Sequence, residues 1–272
     1  MNIGIMQGRL TTEPDGIYQR HPYRWEKELY KCNLHGIKKL EWIVDQHSEN
    51  FNPIRNKEGR MLVKELCKAN EVEISSICAD ILLDYSEIES SGSQWMNILS
   101  KCLEDASAMD IGILVIPLIE GLTLKDGDRY KRMLGRLNEC AANFEDVILA
   151  LELDLCPAKV QQLLEQLDNT RIGINYDTGN SAALGYDFIE EVEFYGDKIV
   201  DLHVKDRLLG GGPVYLGEGD ADLEAVAKWI VDTDYQGVIT MQAYRNQIPE
   251  NLTVSQLGLF RDLVEKARSH HV

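Results

Sequence analysis

Residues 147–245 hold four short apolar runs: VILALELD (147–154), RIGINYDTGN (171–180), IVDLHVKDR (199–207) and GVITMQAYR (237–245). Each run has the length and the Ile, Val and Leu content of a buried strand. Because side chains alternate faces along a strand, one face of each run is apolar. The other face ends in a polar group, and these groups are Glu152, Asp177, His203 and Gln242. This phase predicts four parallel strands that point functional side chains into one shared site.

Strand and helix patterns alternate along the whole chain. Besides the four runs, the pattern predicts strands over residues 2–7, 37–44, 73–80 and 113–119. It predicts helices over residues 23–34, 59–69, 93–109, 128–144, 157–167, 186–195, 223–231 and 254–269. Eight strand–helix units in 272 residues favour an α/β fold, a single (β/α)8 TIM barrel that spans residues 1–272. The segment GIMQGRL (4–10) lacks the glycine spacing of a dinucleotide loop, which weighs against a doubly wound open sheet.

Composition and charge limit the class of protein. Hydrophobic residues make up 44% of the chain, as in globular proteins. No stretch approaches the roughly 20 apolar residues of a membrane span, and the N-terminus lacks a basic region before an apolar one. The six cysteines form no CxxC pair, which fits a reducing compartment. We therefore expect a cytoplasmic protein with no membrane partner. The net charge of −17 also argues against nucleic acid as a partner.

The four strand-end residues have the chemistry of a metal site. Carboxylate oxygens from Glu152 and Asp177, the imidazole of His203 and the amide oxygen of Gln242 form a mixed O/N ligand set. Such a set suits one divalent ion of manganese, magnesium, cobalt or zinc. A metal there would polarise a carbonyl and acidify the neighbouring C–H, and Glu152 could then act as general base.

Further polar residues are expected around the same opening, because barrel active sites lie at the carboxyl ends of the strands. Gln7, Arg9, Glu41 and Asp80 lie at the ends of the first three predicted strands. On the later strands, Lys205, Arg207 and Arg245, with Arg9 and the glycines at 210–212, could receive a phosphate or carboxylate of a substrate. The alternative is that these cations are solvated and that the glycines form a flexible turn.

The third run also places a carboxylate below its histidine. We expect Ile199 and Asp201 to share the inward face with His203, and Val200 to point outward. Asp201 could then orient the ring of His203 or pair with Lys205, and the sequence leaves both possibilities open.

Several motifs together resemble those of a known superfamily. GIMQGRL, ALELD, NYDTGNS, DLHVKDR, GEGDADL and TMQAYR are similar to motifs of the xylose-isomerase-like barrels, which include sugar and sugar-phosphate isomerases and epimerases. The resemblance implies that Glu152, Asp177 and His203 are metal ligands. Gln242 stands where most members have a glutamate that serves as ligand and second acid/base. Asn180 stands where many have a substrate-binding histidine.

The glutamine at 242 separates the possible activities. Since an amide cannot take a proton, epimerisation with two opposed carboxylates would lose one of them. A divalent-metal-dependent isomerase or epimerase of a small sugar or sugar phosphate, with Glu152 as the base, is the expected enzyme, and a one-base isomerisation is less affected by the glutamine than a two-base epimerisation is. Dehydration of a keto-cyclitol and a sugar-binding or partner-binding barrel with impaired catalysis remain alternatives. Endonucleases acting at abasic DNA share the superfamily, but they need more metals and histidines than this chain supplies. A homo-oligomer is possible, because similar proteins are often dimers or tetramers.

Overall fold

The computed structural model describes residues 3–11, 20–85, 93–124, 128–167, 170–245 and 249–270. Within these ranges, eight parallel strands close into a barrel in the order β1-β10-β7-β6-β5-β4-β3-β2. The barrel strands are β1 (Gly4–Met6), β2 (Lys39–Ile43), β3 (Glu73–Cys78), β4 (Ile113–Leu118), β5 (Ile148–Leu153), β6 (Ile172–Asp177), β7 (Ile199–Val204) and β10 (Val238–Met241). The predicted TIM barrel is therefore confirmed.

Helices follow the strands and cover the outside of the barrel. They are α1 (Trp25–Leu34), α2 (Lys57–Asn70), α3 (Ile81–Asp84), α4 (Ser93–Met109), α5 (Asp128–Asn143), α6 (Pro157–Leu164), α7 (Thr178–Leu184), α8 (Phe188–Tyr195), α9 (Leu223–Asp232) and α10 (Pro249–His270). Between β7 and α9 the chain forms a small antiparallel hairpin of β8 (Asp206–Arg207) and β9 (Pro213–Val214). No helix in the described ranges is both long and apolar enough to cross a membrane.

Most elements lie within a few residues of their predicted bounds, and the differences have local causes. Helix α10 begins at Pro249, five residues before the predicted start at 254, because proline is well suited to the first turn of a helix. The predicted strand at residues 2–7 is shortened to Gly4–Met6, and residue 2 lies outside the described residues. Helix α7 was not predicted, because its seven residues carry little apolar periodicity.

Apolar side chains form two separate clusters. The larger one lies between the strands and the surrounding helices, as the outward faces of the four runs predicted. The smaller one fills part of the barrel interior with Met6, Ile43, Cys78, Val115 and Ala150. These five residues come from strands β1 to β5. Among the described residues of β6 and β7, Val200 alone packs against this cluster.

One predicted side-chain orientation is wrong. The pairing of β6 with β7 skips Val200, since Ile174 pairs with Ile199 and Asn175 with Asp201. This irregularity reverses the alternation at the start of β7, as a β-bulge does. Ile199 therefore joins the outer core, and Val200 packs against the interior cluster.

Candidate active site

Strand register brings the four predicted ligand residues to one end of the barrel. Glu152 pairs with Asn175 across β5 and β6, and Asp177 pairs with His203 across β6 and β7. Gln242 directly follows β10, and its backbone N–H bonds to the carbonyl of the last residue of β7 at 2.9 Å. All four side chains are buried. Their convergence is a property of the fold, whereas their role as metal ligands stays a prediction.

Asp177 is held by helix α7 and by a lysine. It is the N-cap of α7, so its Oδ1 accepts a hydrogen bond from the backbone N–H of Asn180 at 2.8 Å. Its Oδ2 lies 2.7 Å from Nζ of Lys205. The backbone of Lys205 is itself fixed, because its N–H and its carbonyl both bond to the hydroxyl of Thr178. A fixed ammonium group therefore neutralises one of the predicted metal ligands.

Asn180 joins the predicted base to an arginine. Its Nδ2 donates to Oε1 of Glu152 at 2.6 Å, and its Oδ1 accepts from Nη1 of Arg207 at 2.8 Å. The adjacent Gly179 makes room for the two cationic side chains. A Cβ atom there would lie 2.5 Å from Cγ of Lys205 and 3.1 Å from Cγ of Arg207. Asn180 and Gly179 thus set the positions of the charged groups around the opening.

The environment of Glu152 suits proton transfer near neutral pH. Burial raises the pKa of its carboxyl to about 7, and the charge of Asp177 acts in the same direction. Lys205 and His203 oppose this shift. A carboxyl with a pKa of this size can both take and return a proton at neutral pH. Glu152 is therefore the candidate acid/base group of the site.

His203 is fully buried and contacts the carboxylate of Glu41. Its Nε2 lies 3.0 and 3.1 Å from the two oxygens of Glu41, which also accepts a hydrogen bond from the hydroxyl of Ser76 at 2.8 Å. Its Nδ1 lies 3.9 Å from Oδ2 of Asp177 and 3.1 Å from Nδ2 of Asn175. Burial lowers the pKa of His203, but the charge and hydrogen bond of Glu41 outweigh it and raise the pKa to about 10. Nε2 is engaged by Glu41, so Nδ1, beside Asn175, is the ring nitrogen on the side of Asp177.

Asp201 adds a second carboxylate beneath His203. Ligand atoms of Glu41, Asp201 and His203 all lie within 4.8 Å of one another. Burial raises the pKa of Asp201 to about 8, and the nearby charge of Glu41 adds to the effect. Since Lys205 pairs with Asp177, it does not provide the counter-charge of Asp201 that the sequence left open. Asp201 instead lies near His203, and the charge of that ring opposes the rise of its pKa.

Within the described ranges, the acidic and histidine side chains whose ligand atoms lie close enough together to hold a cation are Glu41, Asp201 and His203. Four carboxylates in and below the opening are at most 6% exposed, and they belong to Glu41, Glu152, Asp177 and Asp201. Lys205 contacts Asp177, and His203 contacts Glu41. Carboxylates removed from water are costly unless they are compensated, and a dication would supply the compensation. The predicted ligands Glu152, Asp177 and His203 are not drawn together to that distance in this structure, so their shared ligation, with the amide oxygen of Gln242, stays a prediction.

The predicted residues of the first three strands have different environments. Gln7 is buried, and its Oε1 accepts a hydrogen bond from the N–H of Ile43 at 3.0 Å. Asp80 accepts from the thiol of Cys78 at 3.1 Å and lines a rim cavity of about 470 Å³. Glu41 lies beneath His203 with no exposed surface, and so it supports the histidine from below. Substrate contacts of these three residues stay predictions.

Arg9 and Gln242 lie next to each other at the β1–β10 side of the opening. Nη2 of Arg9 is 3.5 Å from the sulfur of Met6, and Nε2 of Gln242 is 3.4 Å from the same sulfur. Arg245 is buried close by. The opening therefore has a lysine at β7 and two arginines at β1 and β10.

Sequence reasoning missed several residues that build the site. Asn175 contacts the imidazole, Ser76 binds Glu41, and Thr178 fixes the backbone of Lys205. A signal existed for Asn175, which lies two residues before Asp177 and so on the same face of its strand. No comparable signal existed for Ser76 or Thr178, because their partners lie 27 or more residues away in sequence.

Comparison with known families assigns the sequence to one family. A family described as xylose isomerase-like TIM barrel matches residues 29–263. None of the curated protein sequences compared with the chain is significantly similar to it.

Solved structures with the same fold cover nearly the whole chain. A xylose isomerase domain protein from Planctomyces limnophilus superposes with a TM-score of 0.78 at 16% identity, covering 98% of each chain. D-psicose 3-epimerase from Clostridium cellulolyticum H10, in complex with D-tagatose, has a TM-score of 0.73 at 13% identity, covering 97% of this chain and 99% of its own. The 3-keto-D-glucoside 4-epimerase of E. coli has a TM-score of 0.71 at 15% identity, with 96% and 99% covered. At such identities the likeness establishes the fold alone.

Proposed function

The chain belongs to the family of xylose isomerase-like TIM barrels, and from that premise we propose that it is a divalent-metal-dependent isomerase or epimerase of a small sugar or sugar phosphate. Glu152 is the proposed base. The observation that carries the proposal is this carboxyl group, which is buried at the carboxyl end of β5, is hydrogen-bonded by Asn180 at 2.6 Å and has its pKa raised by burial to about 7. The sugar epimerases among the structural neighbours support the reaction class.

In the proposed reaction Glu152 moves a proton between two carbon atoms. When bound, the divalent cation polarises the substrate carbonyl and acidifies the adjacent C–H. The carboxylate of Glu152 takes that proton, and the electron pair of the C–H bond shifts toward the carbonyl to give an enediolate. Return of the proton to the neighbouring carbon, with transfer of a proton between the two oxygens, gives the isomer. Asn180 keeps the carboxylate in position, and Asp177 and His203 complete the proposed ligand set.

The glutamine at 242 favours isomerisation over epimerisation. Epimerisation of a carbon requires the proton to leave one face and return to the other. Two groups on opposite faces usually do this, and the amide of Gln242 cannot take a proton. Isomerisation on one face needs only one group that takes a proton from carbon and returns it, and Glu152 is that group. We therefore place aldose–ketose isomerisation first within the proposed class.

Proton exchange with solvent tests the function directly. We would incubate a panel of ketoses, aldoses and their phosphates with the Mn²⁺-supplemented protein in D₂O and follow deuterium incorporation by NMR. Wild type should incorporate deuterium next to the carbonyl of at least one sugar, and Glu152→Gln should lose it. Glu165→Gln, at the exposed end of α6, is the matched control and should keep wild-type exchange. Exchange that survives in Glu152→Gln would remove Glu152 from the mechanism, and no exchange with any sugar would overturn the function.

Metal content tests the cofactor separately. About one divalent ion per chain should be found in wild type, and it should be lost in both Glu152→Ala and His203→Ala. Retention of the ion in both variants would mean that it binds elsewhere.

A further inference from the structure

Arg207 and Asn180 form a chain of hydrogen bonds that ends at the proposed base. Nη1 of Arg207 donates to Oδ1 of Asn180 at 2.8 Å, and Nδ2 of Asn180 donates to Oε1 of Glu152 at 2.6 Å. An amide has one donor end and one acceptor end, whereas a guanidinium group only donates. Arg207 can therefore bind only the oxygen of the amide, and this contact leaves the NH2 group of Asn180 to face Glu152.

The guanidinium group of Arg207 is itself fixed by the hairpin of β8 and β9. Its Nε and Nη2 donate to the carbonyl of Gly211 at 3.1 and 2.8 Å. Because the group is planar and rigid, these two bonds also set the direction of Nη1. The hairpin is held in turn, since the N–H of Gly210 donates to the carbonyl of Ala183 in α7 at 2.8 Å. Asn180 belongs to the same helix, so the arginine and the amide share one support.

The backbone of Arg207 is fixed as well. Its N–H donates to Oδ1 of Asp206 at 2.9 Å, and its carbonyl accepts the N–H of Asp220 at 3.0 Å. Oδ2 of the buried Asp206 accepts the N–H groups of Gly217 and Gly219, which tie the rest of the loop to the same carboxylate. To reach a substrate, the side chain would have to give up its bonds to the amide and to the hairpin. Its contacts therefore favour a role within the site over a contact with a substrate anion.

The orientation of the amide matters most while Glu152 carries the proton. A protonated carboxyl group is a hydrogen-bond donor as well as an acceptor. If the oxygen of Asn180 faced it, the amide would accept the O–H of Glu152 and would compete with the substrate carbon for that proton. Since Arg207 occupies this oxygen, the amide presents only N–H groups to Glu152. The O–H of the carboxyl group must then point away from Asn180.

We propose that Arg207 is a positioning residue: it holds the amide of Asn180 with its NH2 group toward Glu152 and so keeps the proton on Glu152 available to the substrate carbon. The proton transfer rests on the proposed function, whereas the orientation of the amide rests on the hydrogen bonds alone. Arg207 then has a different role from the anion contact expected from the sequence. It contributes to the rate of proton return and not to the affinity for the substrate.

A double-mutant cycle separates this role from direct substrate binding. Deuterium exchange measured against sugar concentration gives kcat and KM for each variant. Arg207→Met and Asn180→Leu should each lower kcat by about 10-fold, as loss of a charged hydrogen bond does, and should leave KM near the wild-type value. Because Arg207 acts through Asn180, the double variant should be no slower than Asn180→Leu. Arg132→Met, on the exposed face of α5, removes the same charge at a distance and should change nothing. Effects that multiply in the double variant, or a raised KM with unchanged kcat in Arg207→Met, would overturn the proposal.

The NH2 group of Asn180 gives a readout that needs no turnover. In NMR spectra of isotope-labelled wild type, one of its protons should resonate downfield of ordinary asparagine side chains, because it is bonded to a carboxylate, and the loss of this signal in Asn180→Leu assigns it. Arg207→Met should move the signal toward the ordinary range. Arg207→Lys should move it less, since lysine keeps the charge and one donor but loses the planar fork. An unchanged signal in Arg207→Met would overturn the orientation, whether or not any sugar reacts. A shifted signal without exchange into any sugar would retain the orientation and remove the proposed function.

Discussion

Replacing Lys205 by methionine should make the site bind a divalent metal more tightly. Nζ of Lys205 lies 2.7 Å from Oδ2 of Asp177, and the two side chains are 15% and 1% exposed. An ammonium group and a metal ion that use the same carboxylate oxygen compete with each other. Methionine keeps most of the length and apolar character of the lysine stem while removing the charge.

The size of the effect follows from the ion pair. Two unit charges at this distance attract by about 6 kcal/mol at an effective dielectric constant of about 20. Dehydration of the ammonium group and the loss of side-chain freedom offset most of this attraction. An exposed ion pair is worth at most about 1 kcal/mol and breaking a buried one costs about 3–5 kcal/mol, so this partly buried pair should retain about 1.5–3 kcal/mol. In Lys205→Met the metal no longer has to break this ion pair, so its binding free energy should improve by the same amount. The affinity for Mn²⁺ should therefore rise by about 10- to 100-fold.

Calorimetric titration of the metal-depleted protein with Mn²⁺ is the assay. Lys159→Met, on the exposed face of α6, changes the net charge equally and should leave the affinity unchanged. Lys205→Arg should bind Mn²⁺ at about the wild-type level, since it keeps a cation beside Asp177. An affinity of Lys205→Met equal to or below that of wild type would refute the competition and show that Asp177 is not shared between lysine and metal.

Three further predictions follow from the same contacts. Metal binding at Glu152 and His203 requires both to lose protons, and burial raises the pKa of Glu152 to about 7 while Glu41 raises that of His203 to about 10. The Mn²⁺ affinity should therefore rise with pH, by about 100-fold per pH unit below 7 and about 10-fold per unit above it, and a flat profile by calorimetry would contradict both assignments. Glu41→Gln should lower the pKa of His203, because it removes the charge that offsets burial, and an NMR titration of the ring protons that shows no change would contradict the contact. Gly179→Ala should shift the Mn²⁺ affinity toward that of Lys205→Met, because the new Cβ would lie 2.5 Å from Cγ of Lys205 and would displace that side chain from Asp177. A wild-type affinity by calorimetry would mean that the Lys205 side chain moves aside and keeps its contact with Asp177.

The sequence by itself predicted the barrel because the two decisive patterns are local. Alternation of strand and helix follows from hydrophobic periodicity, and the side-chain period of a strand follows from its covalent geometry. These patterns placed Glu152, Asp177 and His203 at the carboxyl ends of their strands, where the structure has them. They failed at Val200, where skipped pairing with β6 reverses the phase. A bulge depends on the neighbouring strand and leaves no mark on the alternation of the bulged one.

Only the tertiary structure determined which charged side chains contact each other. Lys205, Arg207 and Arg9 were equivalent candidates in sequence, because a cation after a strand can turn toward several partners. Packing against α7 directs Lys205 to Asp177, and the hydrogen bond to Asn180 holds Arg207. Likewise, Glu41 was expected at the opening, and its partner His203 lies 162 positions away. Periodicity fixes the direction in which each side chain points, whereas its partner is fixed only when distant strands close into the barrel.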